Sequence, residues 1–251
     1  MAPAQKPSND VPNTQKERDF LNHLEAYLAK RDGVDKLLKI SRYATKIILA
    51  SSVLPQSLPL NRRLRSFESS VGVSRKAFRL GKFVQDLNAL RNASFDSNVE
   101  RILSVLAYGG EGFYYFVEQL VWLNKAGLLD SKYSLKLQKI AAWAEFIGFF
   151  GSTTLKTRDL KRIIEKETSL KSRIELAKST GHGYDKEAEE MRKLGEKKLI
   201  KKLSIVQDAA DWLMTFSDVR DGKGFLSDPL LLASAGLLSA LISTHKNWLS
   251  C

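Results

Sequence analysis

Three observations predict an all-α protein. Apolar residues recur at three- and four-residue spacing in nearly every segment of the 251 residues. No stretch alternates apolar and polar residues with the period of two that a half-buried strand requires. Capping residues, prolines and glycines punctuate the runs at helical lengths. With 43% hydrophobic and 27% charged residues the composition is that of a folded chain, not a disordered one.

The elements follow in order. Residues 1–13 are rich in Pro and Asn, lack the apolar core of a secretory signal, and read as a disordered lead-in. Thr14 and Glu17 have capping-box spacing, and Phe20, Leu21, Leu24 and Leu28 then share one face, with Gly33 as the expected break. Leu37, Leu38, Ser41, Ala44, Ile47 and Ile48 mark a second helix, closed by a loop around Pro55 and Pro59. Asn61 is placed to cap a third helix running to about residue 90. Further on, Gly109, Gly110 and Gly112 predict a kink, a break or a close helix contact, and Ile140–Leu155 is interrupted by a single acid, Glu145. These segments make an N-terminal helical region over residues 14–155. From 156 to 204 the charges alternate around "TGHGYD", the pattern of a solvated helical hairpin. Residues 205–251 form a C-terminal region in which Asp228 caps a final helix with Pro229 at its first position.

Nothing in the sequence predicts an enzyme. His23, His182 and His245 are scattered, no metal-ligand spacing or dinucleotide fingerprint occurs, and no cofactor is expected. Cys251 stands alone, so no disulfide can form within the chain. The informative quantity is charge: the formal net charge is +12 and the isoelectric point is about 9.7. Such a balance points to phosphate-bearing partners, either anionic lipid or nucleic acid.

The stretch "RLRSFESSVGVSRKAFRLGKFV" favours lipid. On a helical wheel with Leu60 at zero, Leu64, Phe67, Val71 and Phe78 lie within about 40° of zero, and Val73, Leu80 and Val84 lie between roughly 200° and 260°. Arg65, Arg75, Lys76, Arg79 and Lys82 collect between about 40° and 160°, while Arg63 falls in the apolar arc. Half-burying the large apolar side chains in a head-group layer is worth about 7 kcal/mol. The net cationic charge adds about 4 kcal/mol at an anionic surface. A helix with these two faces wedges into one leaflet and bends the bilayer.

The uncharged run Pro229–Ser243 begins a second candidate membrane element, over about 229–244. Its fifteen residues reach about 22 Å, short of a ~30 Å hydrocarbon core. His245, Lys246 and Trp248 are expected as interfacial anchors beyond it, and Gly236 with Ala240 forms a small-x-x-x-small pair suited to close helix packing. The whole is expected to be a helical membrane-associated protein with amphipathic interfacial helices and one or two short membrane-embedded helices.

Two segments resemble the peroxin-11 family of peroxisomal membrane proteins. The first carries Gly33, Asp35, Lys36 and Tyr43; the second carries Leu64, Arg65, Glu68, Ser69, Ser70, Arg75, Lys76, Phe78, Arg79, Gly81 and Lys82. The likeness is specific over about residues 30–125 and returns in the apolar C-terminal helix, with a layout like that of a fungal member. It implies a non-enzymatic protein of the peroxisomal membrane that elongates it before fission and self-associates. It also implies work with a dynamin-related GTPase and that enzyme's membrane adaptor. The family's membrane-shaping helix maps onto Leu64, Arg65, Phe67, Val71, Arg75, Lys76, Phe78, Arg79, Leu80 and Lys82, acting on an anionic phospholipid membrane. Two other readings stand beside this one: a metabolite pore lined by Glu111 and Glu145, and, from the charge alone, a nucleic-acid binder. The leading reading expects no nucleic-acid partner.

Overall fold

The computed structural model describes residues 19–251 apart from positions 52, 56, 96 and 182, and for Phe225 the backbone alone. The lead-in and the capping box at Thr14 and Glu17 lie outside the described residues. Every regular element among the described residues is helical.

Helix α1, Phe20–Ala29, ends where Lys30 turns to ψ 128°, and α2, Arg31–Ala50, begins at once. The break therefore precedes Gly33, which sits in the first turn of α2. A Cβ at Gly33 would lie 2.0 Å from the Tyr27 carbonyl oxygen, so glycine is what permits the tight corner. Helix α3, Pro59–Phe78, has proline at its first position, where the missing N–H costs nothing. Asn61 does not cap it; its side chain is buried and accepts a hydrogen bond from Arg65 Nε at 2.9 Å. The single helix expected over about 61–90 is two. The chain leaves α3 at Arg79, passes Gly81 at φ 75°, and resumes as α4, Lys82–Asn92. The left-handed backbone at Gly81 favours a residue without a Cβ and aims α4 away from α3.

Helix α5, Asn98–Ser104, is capped by Ser97, whose Oγ accepts from the Glu100 N–H. A π-helical turn, Val105–Gly109, carries it into α6, Gly110–Lys125. The expected close contact at the glycines is present: a Cβ on Gly110 would come within 2.7 Å of Gly148 Cα. Helix α7, Ser134–Ser179, spans 46 residues and is about 69 Å long. Helix α8 is Asp185–Val219 and α9 is Pro229–Leu249, with the Leu231 N–H donating to Asp228 Oδ1 as expected. Residues 156 and 204 both fall inside long helices, so the charged hairpin is the outer end of α7 and α8, joined by a turn at Gly181.

The packing closes into a ring. Helix α3 lies against α2, α2 against α9, α9 against α8, α8 against α7, α7 against α6, and α6 returns to α3; α4 leans on α6 from outside. Among the described residues no helix is long and apolar enough to cross a membrane.

Candidate membrane interface

The interior of the ring is charged. Asp35, almost fully buried on α2, receives Arg75 Nε at 3.0 Å and has Lys36 Nζ at 3.3 Å and Arg79 Nε at 3.5 Å. Glu118, buried on α6, receives Lys76 Nζ at 2.7 Å, Arg79 Nη1 at 3.2 Å and the Tyr114 hydroxyl at 3.0 Å. Burial would push Glu118 up, but Arg79 and Lys76 outweigh it and hold the carboxyl at about 2. Asp35 behaves likewise: burial is outweighed by Arg79 and Arg75, and the carboxyl lies well below the usual range. On the far side of the ring, Lys39 Nζ donates to Asp211 and to Ser239 Oγ, and Lys156 Nζ donates to Asp208.

The outside is apolar over much of its area. Phe113 and Phe116 on α6, Trp143, Ile147 and Phe150 on α7, and Leu238 and Leu241 on α9 are all exposed. Helix α9 shows the inversion most plainly: it buries Ala233, Gly236, Ser239, Ala240 and Ser243 and turns leucines outward. A chain surrounded only by water favours the reverse. Charges gathered inside and large hydrocarbon side chains outside suit a helical protein whose surroundings are partly lipid.

The predicted membrane-binding residues divide between these two environments. Phe67 is 47% exposed, and Phe78 and Leu80 are each 36% exposed. Leu64 is half-buried and Arg65 exposed, whereas Val71 is buried at the α3 contact with its neighbours. Arg75, Lys76 and Arg79 do not form an outward cationic face. They turn inward onto Asp35 and Glu118, because those buried carboxylates need counter-charges and α3 supplies them. Lys82 lies 3.6 Å from Asp32 and 4.9 Å from the centre of the Tyr115 ring. The cations left exposed at the start of α3 are Arg62, Arg63 and Arg65. Arg63, which spoiled the wheel, thus points outward beside Phe67 and Leu60.

The C-terminal helix also differs from expectation. A Cβ on Gly236 would fall 2.2 Å from Tyr43 Cε1, and Ala240 is fully buried, so this small-residue pair joins α9 to α2 within one chain. Trp248 packs against His23 with ring centres 4.2 Å apart and planes tilted by 37°, and Lys246 donates to Gln207; neither is held out as an interfacial anchor. Sequence reasoning missed Asp35 and Glu118 as the hubs of the interior. The available signal was Glu118 itself, the lone acid in the apolar run "FYYFVEQLVWL".

Residues 21–248 match the family model for peroxisomal biogenesis factor 11. The chain belongs to that family. It is 63% identical over 236 residues to peroxisomal membrane protein 11A of Arabidopsis thaliana, covering 94% of this chain and 95% of the relative. It is 54% identical over 234 residues to peroxisomal membrane protein 11-3 of Oryza sativa subsp. japonica, covering 93% and 91%. These relatives come from plants, and they do not support the fungal layout suggested by the sequence. No solved structure gives a significant match. Membership in the peroxisomal biogenesis factor 11 family places the chain in the peroxisomal membrane.

Proposed function

We propose that this protein bends and elongates the peroxisomal membrane without catalysis, by seating the outward side of α3 and α4 in one leaflet and by self-association, and so promotes fission and proliferation of the organelle. The observation carrying this reading is the exposure of Leu60, Phe67, Phe78, Leu80, Val84 and Leu87 along two successive helices whose neighbouring cations are satisfied internally. An apolar ridge with its own charges withdrawn partitions into a head-group layer at lower cost than a helix that must carry them along. Attraction to anionic phospholipid then falls to Arg62, Arg63 and Arg65. Recruitment of a dynamin-related GTPase through its membrane adaptor completes the reading; it rests on the family likeness alone.

The test is flotation of the purified full chain with anionic and neutral liposomes. Phe67→Ser with Phe78→Ser should abolish most binding at every salt concentration. Arg62→Gln with Arg63→Gln should weaken binding to anionic liposomes by about 2 kcal/mol, and the loss should vanish in high salt. Equal binding by all three proteins would remove the reading. Chemical cross-linking in the membrane tests self-association, which a strictly monomeric pattern would exclude.

A second reading, a metabolite pore, is favoured by one observation: Glu111 and Glu145, far apart in sequence, line one internal cavity. Single-channel conductance in planar bilayers that shifts ion selectivity on Glu111→Gln supports it; a silent bilayer with folded protein removes it.

A further inference from the structure

Inside the ring lies a cavity of about 280 Å³, walled by α2, α6, α7, α8 and α9 and by the α3–α4 junction. Six lysine and arginine side chains line it against four carboxylates. The surplus is not balanced behind the wall, where Asp35 already serves Lys36, Arg75 and Arg79, and Glu118 serves Lys76 and Arg79. Two of the lining carboxylates, Asp208 and Asp211, each hold a lysine of their own, Lys156 and Lys39. Glu145 accepts from the Thr215 hydroxyl and forms no ion pair among the described residues. Burial, then Asp211 and Glu118, push Glu145 up to about 8, so it is mostly protonated near neutrality.

What remains is a set of cations short of partners. Lys246 donates to Gln207, a neutral group. Lys82 has the half-exposed Asp32 at 3.6 Å. Lys36 shares its carboxylate with two arginines, and burial together with Lys82 presses it down to about 7. Glu111 is the other lining carboxylate without an ion pair among the described residues; with Asp32 it offsets Lys82 and Lys246, and the remaining surplus is the partly ionised Lys36 together with the arginines that share Asp35. A buried surplus of positive charge is costly unless an anion joins it.

We propose that this cavity is a binding site for a phosphate group, either free or carried on a lipid head, held by Lys36, Lys82 and Lys246. An anion with several oxygens offsets the surplus and can accept from more than one of the lysine nitrogens that line the cavity; a single carboxylate has fewer oxygens to share among them. The site goes beyond membrane bending and does not depend on it, since none of these three lysines belongs to the outward ridge of α3.

The experiment is phosphorus NMR of the full chain in uncharged detergent. One series is titrated with inorganic phosphate, a second with dihexanoyl phosphatidic acid, and a third with dihexanoyl phosphatidylcholine. Saturable line broadening is expected for phosphate or for phosphatidic acid. Lys36→Gln and Lys246→Gln should each weaken it by about tenfold. Lys139→Gln, at an exposed pair with Asp221, should leave it unchanged. Binding of phosphate identifies a diffusible ligand, and binding of phosphatidic acid alone identifies a lipid head group; both uphold the site. If Lys36→Gln does not keep its helical circular dichroism, Lys246→Gln and Lys82→Gln decide. Binding by neither compound, or equal binding by every folded variant, overturns it.

Discussion

The core of the ring and the outer end of α7 and α8 are built from the same residue types and use them oppositely. In the core, Asp35 and Glu118 gather cations from a helix about 40 residues away in sequence, and almost none of that charge reaches solvent. At the outer end, Arg192 meets Glu189 and Glu196 within a single helix, and Lys193 meets Glu189, all in the open. Removing one member of a buried pair strands the others in a poor solvent, whereas water replaces either member of an exposed pair. The count of salt bridges therefore says little about what holds this fold; their depth decides it.

The sharpest way to break the contrast is Asp35→Ala. It leaves Lys36, Arg75 and Arg79 facing one another, and should cost about 3–5 kcal/mol, read as a large drop in the thermal midpoint of the detergent-solubilised chain. A midpoint near that of the parent would mean that the core cations find other partners.

Acid tests the second hub. Folding lowers the Glu118 carboxyl from 4.5 to about 2, so the unfolded chain holds this proton more tightly. The stability it supplies, about 3 kcal/mol, is complete above 4.5 and is lost as the pH falls toward 2. Denaturant titrations at a series of pH values should show this loss in the parent. Glu118→Gln should be less stable at neutral pH and lack that share of the acid dependence.

A smaller effect separates packing from charge. Gly110→Ala sets a methyl group against Gly148 and forces α6 from α7, at a cost of about 1–3 kcal/mol with no change in the pH dependence. The smallest effect belongs to the outer end. Arg192→Ala should leave the thermal midpoint unmoved within error, and a clear drop there would refute the distinction between the two regions.

Much of the fold was legible because helix formation is local. The loop at Pro55, the cap at Asp228 and the close contact at Gly110 all act within a few residues or through the absence of a side chain, and each is where the sequence placed it, whereas Pro59, expected in the loop, opens α3. The corner at Lys30 was misplaced to Gly33 because glycine there relieves a contact with Tyr27, and a contact between two helices leaves no periodic trace.

The candidate interface was half legible. Phe67, Phe78 and Leu80 face outward as expected, but the wheel assigned the basic arc to the outside as well. A wheel ranks the sides of a helix against water or lipid in the abstract; it holds no information about what lies across from each side.

By itself, then, the chain determined helical class, family and the amphipathic character of α3, since these rest on spacing and on residue identity along the backbone. Only the tertiary structure decided which side of α3 turns inward. Asp35 and Glu118 arrive there from α2 and α6, and a buried carboxylate draws whichever cations packing brings within reach. The strength of that attraction depends on the distance and the solvent between the charges, and both exist only after the ring has closed.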